Sequence, residues 1–345
     1  MRSTRVTGEE RTIMTMLEVT DLSVSFKTPD GTVRAVNKMN FSIGPGQTLA
    51  IVGESGSGKS QTVMAAMGLL AGNGEVEGSV KLDGQELIGM KPKDLNKIRG
   101  RDMAMIFQDP MTSLNPYLSI ADQMTEVLMF HKRMKRAEAM DRSEEMLRTV
   151  HLPDPRRILR RYPHELSGGQ RQRVMIAMAL LCDPKVLIAD EPTTALDVTV
   201  QAQMLKLFEE LTDKFNTALI IITHDLGVVA GLADEMMVMY AGRVVEQGPV
   251  EGLFYDPRHP YTFGLLHSTP HLKEGKDRLA PIRGLPPNLT NLPPGCAFNP
   301  RCPFRFDRCI NERPQLIVRE HDRLSACFYE GEMTEADMEK ELAVK

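Results

Sequence analysis

Apolar positions change their spacing several times along the chain. Leu17-Glu-Val-Thr-Asp-Leu-Ser-Val-Ser-Phe26 alternates partly at period two, and Pro29-Asp-Gly31 adds turn residues, which predicts short strands over 17–50. Gln47–Val52 is a short β-rich run that ends in glycine, and Ser60–Leu70 is apolar and helix-forming. Together they predict strand, glycine loop and helix. Residues 111–165 carry runs of Met, Leu, Glu, Lys and Arg with few β-branched residues and read as helical. Lys185–Ala189 and Ala218–Thr223 read as buried-type strands around a helix near 199–214. From about 249 the chain turns Pro-rich and irregular, and Glu330–Lys345 is charged, as in a solvated helix or tail.

Composition narrows the class. The 345 residues are 42% hydrophobic and 26% charged, ordinary for a globular protein of about two domains. Acidic residues outnumber basic ones 46 to 42, and Trp is absent. Neither supports a nucleic-acid binder. The 23 methionines read as adaptable core filler. Apolar stretches such as Ala218–Ile222 and Met236–Ala241 fall far short of the ~20 residues of a membrane span. The first residues lack an apolar h-region and read as a mobile tail, not a secretory signal, with Met14 or Met16 as alternative starts. Five cysteines without a signal peptide point to a reducing cytosol.

Chemistry enters at Gly53-Glu54-Ser55-Gly56-Ser57-Gly58-Lys59-Ser60, followed by Gln61. The spacing is G-x-x-x-x-G-K-S, between an apolar strand and a helix. Glycines let backbone N–H groups turn inward around phosphate oxygens, Lys59 reaches the β- and γ-phosphates, and the Ser60 hydroxyl ligates Mg²⁺. Val186-Leu-Ile-Ala-Asp190-Glu191 is an apolar strand ending in two carboxylates. Asp190 then suits the Mg²⁺ shell and Glu191 the general base; a helix-capping pair before Pro192 is the bland alternative. Leu166-Ser167-Gly168-Gly169-Gln170 precedes a helix predicted over Arg171–Leu181, a second anion site suited to a nucleotide held by a partner.

With that pentapeptide, residues 17–250 resemble the ABC ATPases, with every motif in order. The resemblance implies an adenine-stacking role for Phe26, 27 residues before Gly53. It makes Gln108 the Q-loop residue, contributing to Mg²⁺ and catalysis, and His224 a γ-phosphate sensor. It makes Ala195-Leu196-Asp197 part of the D-loop, and Leu166–Gln170 a signature loop acting in trans. Phe107–Pro116, Ala189–Gln201 and Asp256–Tyr261 narrow the resemblance to the peptide-importer ATPases of oligopeptide, dipeptide and nickel permeases, the D-type subunits of the oligopeptide branch in particular.

This implies an α/β P-loop core with an inserted helical subdomain near 111–180 and an irregular, cysteine-bearing C-terminal extension. The boundaries expected are a tail over 1–16, a nucleotide-binding domain over 17–250, the extension over 251–330 and a charged tail over 331–345. The resemblance further implies ATP and Mg²⁺, a second homologous ATPase as heterodimer partner, two membrane permease subunits, an extracytoplasmic binding protein, and a place on the cytoplasmic face of the cell membrane. Tyr117, Leu118 and Ile120 are candidates for the permease contact or, equally, for subdomain core. A soluble ABC ATPase acting on DNA or ribosomes fits less well: only 58 positions separate Gln108 from Leu166, too few for a long coiled coil, and there is one cassette. A GTPase would need N-K-x-D, which is absent. Intact motifs speak against a non-catalytic regulatory subunit.

Cys296, Cys302, Cys309 and Cys327 form a C-x5-C-x6-C-x17-C pattern in a Pro-rich stretch. Four thiolates suit a [4Fe–4S] cluster or tetrahedral Zn²⁺, and free thiols remain a third reading. No C-x2–4-C knuckle is present, so the wider spacing fits a cluster better than zinc, and the resemblance points the same way. Nothing in the sequence places these cysteines beside the ATP motifs, so a structural role is expected. Cys182 reads as a small buried hydrophobe.

Overall fold

The computed structural model describes residues 15–108, 113–193, 198–268, 282–320 and 323–334. In chain order the N-terminal part gives β1 (Leu17–Thr28), β2 (Gly31–Ile43), β3 (Thr48–Val52), α1 (Lys59–Ala66), β4 (Gly74–Leu82), β5 (Gln85–Glu86), α2 (Pro92–Ile98) and β6 (Met103–Ile106). The helical part holds α3 (Ile120–His131), α4 (Arg136–Thr149), α5 (Pro155–Leu159) and α6 (Gly168–Leu180). Then come β7 (Val186–Asp190), α7 (Val198–Phe215), β8 (Ala218–Thr223), α8 (Leu226–Leu232), β9 (Glu235–Tyr240) and β10 (Arg243–Pro249). The chain closes with α9 (Val250–Tyr255), α10 (Pro260–His267), α11 (Asp307–Asn311), β11 (Ile317–Val318) and β12 (Leu324–Ser325).

Two sheets form. An antiparallel sheet has the order β2-β1-β4-β5, and a larger one runs β11-β12-β10-β9-β3-β8-β7-β6. Strands β6, β7, β8, β3 and β9 are parallel, whereas β10, β12 and β11 add antiparallel. The central strands are apolar on both faces because both faces are covered. Leu49, Ile51, Ile188, Ile220, Ile222 and Met237 face a core shared with the antiparallel sheet and α1. Their neighbours Ala50, Val52, Leu187, Ala189, Leu219 and Ile221 face a core shared with the helices. Alternation at period two thus joins two cores through one sheet.

The predicted strands fall close to place, with β8 matching residue for residue and β3 and β7 starting one residue late. Helix α6 begins at Gly168, three residues before the predicted start, so the two glycines form its first turn. Ile120 is fully buried, which puts it in the helical core and removes it as a candidate for a contact surface, while Tyr117 is 88% exposed and Leu118 lies at the surface. Cys182 is buried. The C-terminal segment is less separate than its composition suggests. Strand β12 pairs with β10 of the main sheet, and Phe298 and Cys302 belong to the helix-side core.

Candidate nucleotide site

Strand β3 ends at Val52 and helix α1 starts at Lys59, so Gly53–Gly58 form the loop between them. Gly53 (φ +150°) and Gly58 (φ +101°) take backbone conformations that L side chains rarely adopt. A Cβ on Gly53 would lie 2.3 Å from the Met239 carbonyl oxygen, and one on Gly58 2.1 Å from that of Ala35. No side chain fits at either position, which ties both glycines to this packing.

Lys59 Nζ donates to the carbonyls of Gly53 (2.6 Å) and Glu54 (3.0 Å). Its ammonium is thus folded into the loop's own concavity, the place where phosphate oxygens would sit. Burial lowers the Lys59 pKa, and Glu191, Asp190 and Glu54 counter that shift. The buried Ser57 hydroxyl has no partner. An orphaned donor inside a glycine loop fits a phosphate ligand.

At the end of β7 two adjacent carboxylates part company. Asp190 hydrogen-bonds with Ser60, and burial raises its pKa. Glu191 takes a left-handed backbone conformation (φ 48°), with its N–H donating to the Ile222 carbonyl at 2.8 Å. That turn sends its side chain elsewhere. Gln108 Nε2 donates to Glu191 Oε2 at 2.9 Å, and His224 Nδ1 stands 3.4 Å from Glu191 Oε1. Non-glycine residues in this region of backbone space cost about 1–3 kcal/mol and concentrate at functional sites.

One cavity of about 810 Å³ gathers Phe26, Val33, Ala35, Glu54 through Gln61, Gln108, Glu191, His224 and Leu289. That volume suits a nucleotide. Three segments far apart in sequence supply its acid, amide and imidazole. The pair of Asp190 and the Ser60 hydroxyl fits a divalent cation by donor type, because hard cations take oxygen ligands.

Leu166–Gln170 does not line this cavity. Ser167 caps α6: its hydroxyl accepts from the Gln170 N–H (3.3 Å), and Gln170 Oε1 accepts from the Ser167 N–H (3.1 Å). Ser167 and Gly168 are exposed. The predicted D-loop residues Ala195, Leu196 and Asp197 lie outside the described residues, as do most of the two predicted tails.

Comparison with known proteins decides the family. The model described as "ABC transporter" matches residues 36–194. The chain is 56% identical to the oligopeptide transport ATP-binding protein OppD of Salmonella typhimurium, over 91% of this chain and 93% of that one. It belongs to the ABC transporter ATPases. A second model, "Oligopeptide/dipeptide transporter, C-terminal region", matches residues 245–309. OppD of Haemophilus influenzae is also 56% identical, over 92% of this chain and 98% of that one. Among solved structures the dimeric ATP-binding cassette MJ0796, in a post-hydrolysis state with ADP and Pi, superposes with a TM-score of 0.61 at 28% identity. It covers 68% of this chain and 99% of that one. This ABC ATPase has no helix among its described residues long and apolar enough to cross a membrane.

The four C-terminal cysteines line one small apolar cavity, with His259, Pro260, Phe298 and Phe304 among its other walls. Burial raises the Cys296, Cys302 and Cys327 thiol pKa values, Cys327 to about 12. The cavity has room for about 10 Å³, at most one water molecule. Among the described residues no group of three or more His, Cys, Asp or Glu is arranged to hold a metal ion. The metal expectations for these cysteines, a [4Fe–4S] cluster or zinc, therefore gain no metal-binding group from the structure.

The structure adds a contact between this region and the ATP motifs that the sequence did not reveal. Arg301, next to Cys302, forms a two-pronged ion pair with Glu54 of the glycine loop at 2.6 and 2.8 Å. The Glu54 N–H donates to the Tyr261 hydroxyl at 2.8 Å. Tyr240, Tyr261 and Phe298 pack ring against ring beneath this contact, with centroids 4.6–5.4 Å apart. Sequence reasoning missed Arg301, Tyr261, Tyr240 and Leu289. No motif spacing relates residue 301 to residue 54, so no sequence signal was there to find them.

Proposed function

We propose that this chain is the ATP-hydrolysing subunit of an ABC importer that energises uptake of oligopeptides across the cell membrane. The observation that carries the chemistry is the meeting of Gln108, Glu191 and His224 at one wall of the glycine-loop cavity. The substrate class rests on relatives named for oligopeptide transport at 56% identity, above the 48% of a dipeptide transport relative from Bacillus subtilis.

In this reading Phe26 stacks on adenine, and Gly53 to Gln61 cradle the phosphates. Lys59 moves from its carbonyl partners to the β- and γ-phosphates and offsets their charge. Glu191 accepts the proton of the attacking water, Gln108 orients that carboxylate, and His224 contacts the γ-phosphate. Ser60, Asp190 and Gln108 would hold Mg²⁺, which supplies charge neutralisation at the phosphates. Positioning and charge complementarity do most of the catalytic work in such sites.

The functional units proposed are a cassette over 17–250, with its helical subdomain near 111–180, and an extension over 251–330. The exposed Ser167 and Gly168 support a signature loop that serves a partner's ATP, as in a sandwich of two cassettes. The partners proposed are a second, different ATPase and two permease subunits, with the chain at the cytoplasmic face of the membrane and a binding protein outside. Exposed Tyr117 and Leu118 suit the permease contact. The four thiols are proposed as ligands of a [4Fe–4S] cluster. Support comes from donor type and from all four cysteines lining one cavity; a bound cluster would have to spread that cavity. Anaerobically purified protein is then brown. Colourless protein with stoichiometric zinc, or with four alkylatable thiols and no metal, sinks the cluster.

Reconstitution in vesicles with permease and binding-protein subunits tests the main reading. Uptake of peptides of graded length should require ATP and peptide-loaded binding protein. ATP hydrolysis that no peptide stimulates, with no peptide accumulated, would refute the substrate class.

A further inference from the structure

Glu54 is the second residue of the glycine loop, and all its polar groups are held. Its N–H donates to Tyr261, its carbonyl accepts from Lys59, and its carboxylate oxygens take Arg301 Nη1 and Nη2. The Arg301 side chain is only 6% exposed. Its guanidinium also donates to the Tyr240 hydroxyl (3.3 Å) and to the carbonyls of Arg283 (2.8 Å) and Ile282 (3.5 Å). One arginine therefore fastens the glycine loop, the end of β9 and the strand of chain entering the cysteine-bearing segment. The same segment sends Leu289 into the nucleotide cavity. Arg301 itself does not line that cavity.

We propose that Arg301 is a positioning residue for nucleotide binding, acting through Glu54, so that the C-terminal segment forms a third wall of the ATP site. A planar fork on a carboxylate fixes orientation as well as distance. With the Glu54 carboxylate fixed from one side and its N–H from another, the loop keeps its concave shape before nucleotide arrives. Without the fork, part of the binding free energy goes into ordering the loop, and apparent affinity falls in proportion to the fraction of loops still in shape. The inference rests on the reading of Gly53–Gln61 as the nucleotide cradle.

The test measures equilibrium binding of a fluorescent ATP analogue to the full-length chain, with a thermal midpoint for each variant. Arg301→Ala and Glu54→Gln should each weaken binding, by about tenfold if a charge-assisted pair is lost. The double variant should be no weaker than either single one, because both remove one contact. Arg301→Lys should fall between, since an ammonium does not supply the fork. The sign at Glu54 is decisive. If these charges acted only through their field on anionic phosphates, Glu54→Gln would tighten binding while Arg301→Ala weakened it. That pattern overturns the proposal, as does a lowered thermal midpoint with affinity unchanged. If Arg301→Ala does not fold, Glu54→Gln and Arg301→Lys carry the same test. Lys59→Ala separates this inference from its premise. Lost affinity there with full affinity in the Arg301 variants overturns the inference alone. Full affinity in Lys59→Ala overturns the cradle, and the inference with it.

Discussion

Asp190 and Glu191 are neighbours in the chain and part company in space. The left-handed backbone at Glu191 turns one carboxylate toward Ser60 and the next toward Gln108 and His224. A pair of like charges in one spot would hold each other's protons; set apart, each can do different work. Glu191→Gln keeps the shape and removes the base. ATP binding should persist while hydrolysis falls about 10²–10⁴-fold; a variant retaining more than half the native turnover would sink this role. Lys59→Ala should instead weaken nucleotide binding itself, read by direct titration. The residue types and their order were legible in the sequence because one loop or one strand end holds each motif. The pairing of Arg301 with Glu54 was not, because 247 positions separate them and only the folded chain joins them.

Strands β3, β7 and β8 were legible as unbroken apolar runs because both their faces are covered. The segment beyond β10 was not: its strands β11 and β12 are two residues long, too short to show a period. What orders it instead is buried polar chemistry. Glu246 on β10 is fully buried and accepts from the N–H groups of Arg258 and His259 (2.6 and 3.0 Å), just before α10. His259 Nδ1 in turn accepts from the Tyr261 N–H. Burial pushes the Glu246 pKa up to about 7 and the His259 pKa down to about 3. A raised carboxyl binds protons in the fold that it would lose when unfolded, so its contribution is greatest below pH ~4.5 and is lost as pH rises through 7. A depressed imidazole works in reverse: its contribution is present above pH ~6.5 and is lost as pH falls toward 3. Between about pH 4.5 and 6.5 the two slopes oppose. Glu246→Gln removes one and should expose the other, a loss approaching ~1.4 kcal/mol per pH unit on acidification. Thermal midpoints taken from pH 7 to 4.5 check this. Parallel curves for the variant and the native chain would refute it.

Taken whole, the molecule gathers a glycine loop and a carboxylate–amide–imidazole wall in one cavity, and the Leu166–Gln170 loop is not among the residues that line it. The solved cassette it resembles is a dimer, and in the proposed sandwich the corresponding loop of a partner would cover ATP bound here. Ser167 and Gly168 are exposed, so a large side chain at 167 should fold without disturbing the core. It should, however, block close approach to a phosphate and cost α6 its cap, a loss of about 1 kcal/mol. Ser167→Arg should therefore leave this chain's own glycine loop open to labelling by a photoreactive ATP analogue. Hydrolysis should fail at the site whose loop lies on the other ATPase. The isolated chain should hydrolyse ATP slowly and speed up when that partner is added. Mixing the variant with a partner carrying an inactivated base separates the two readings. Acting in trans, both faults fall on the site with the partner's glycine loop and turnover persists at the other, whereas acting in cis each site carries one fault and turnover vanishes. A strictly monomeric chain with full activity, or a Ser167→Arg variant that loses its own nucleotide labelling, would show that the loop acts in cis and that the two-chain site is wrong.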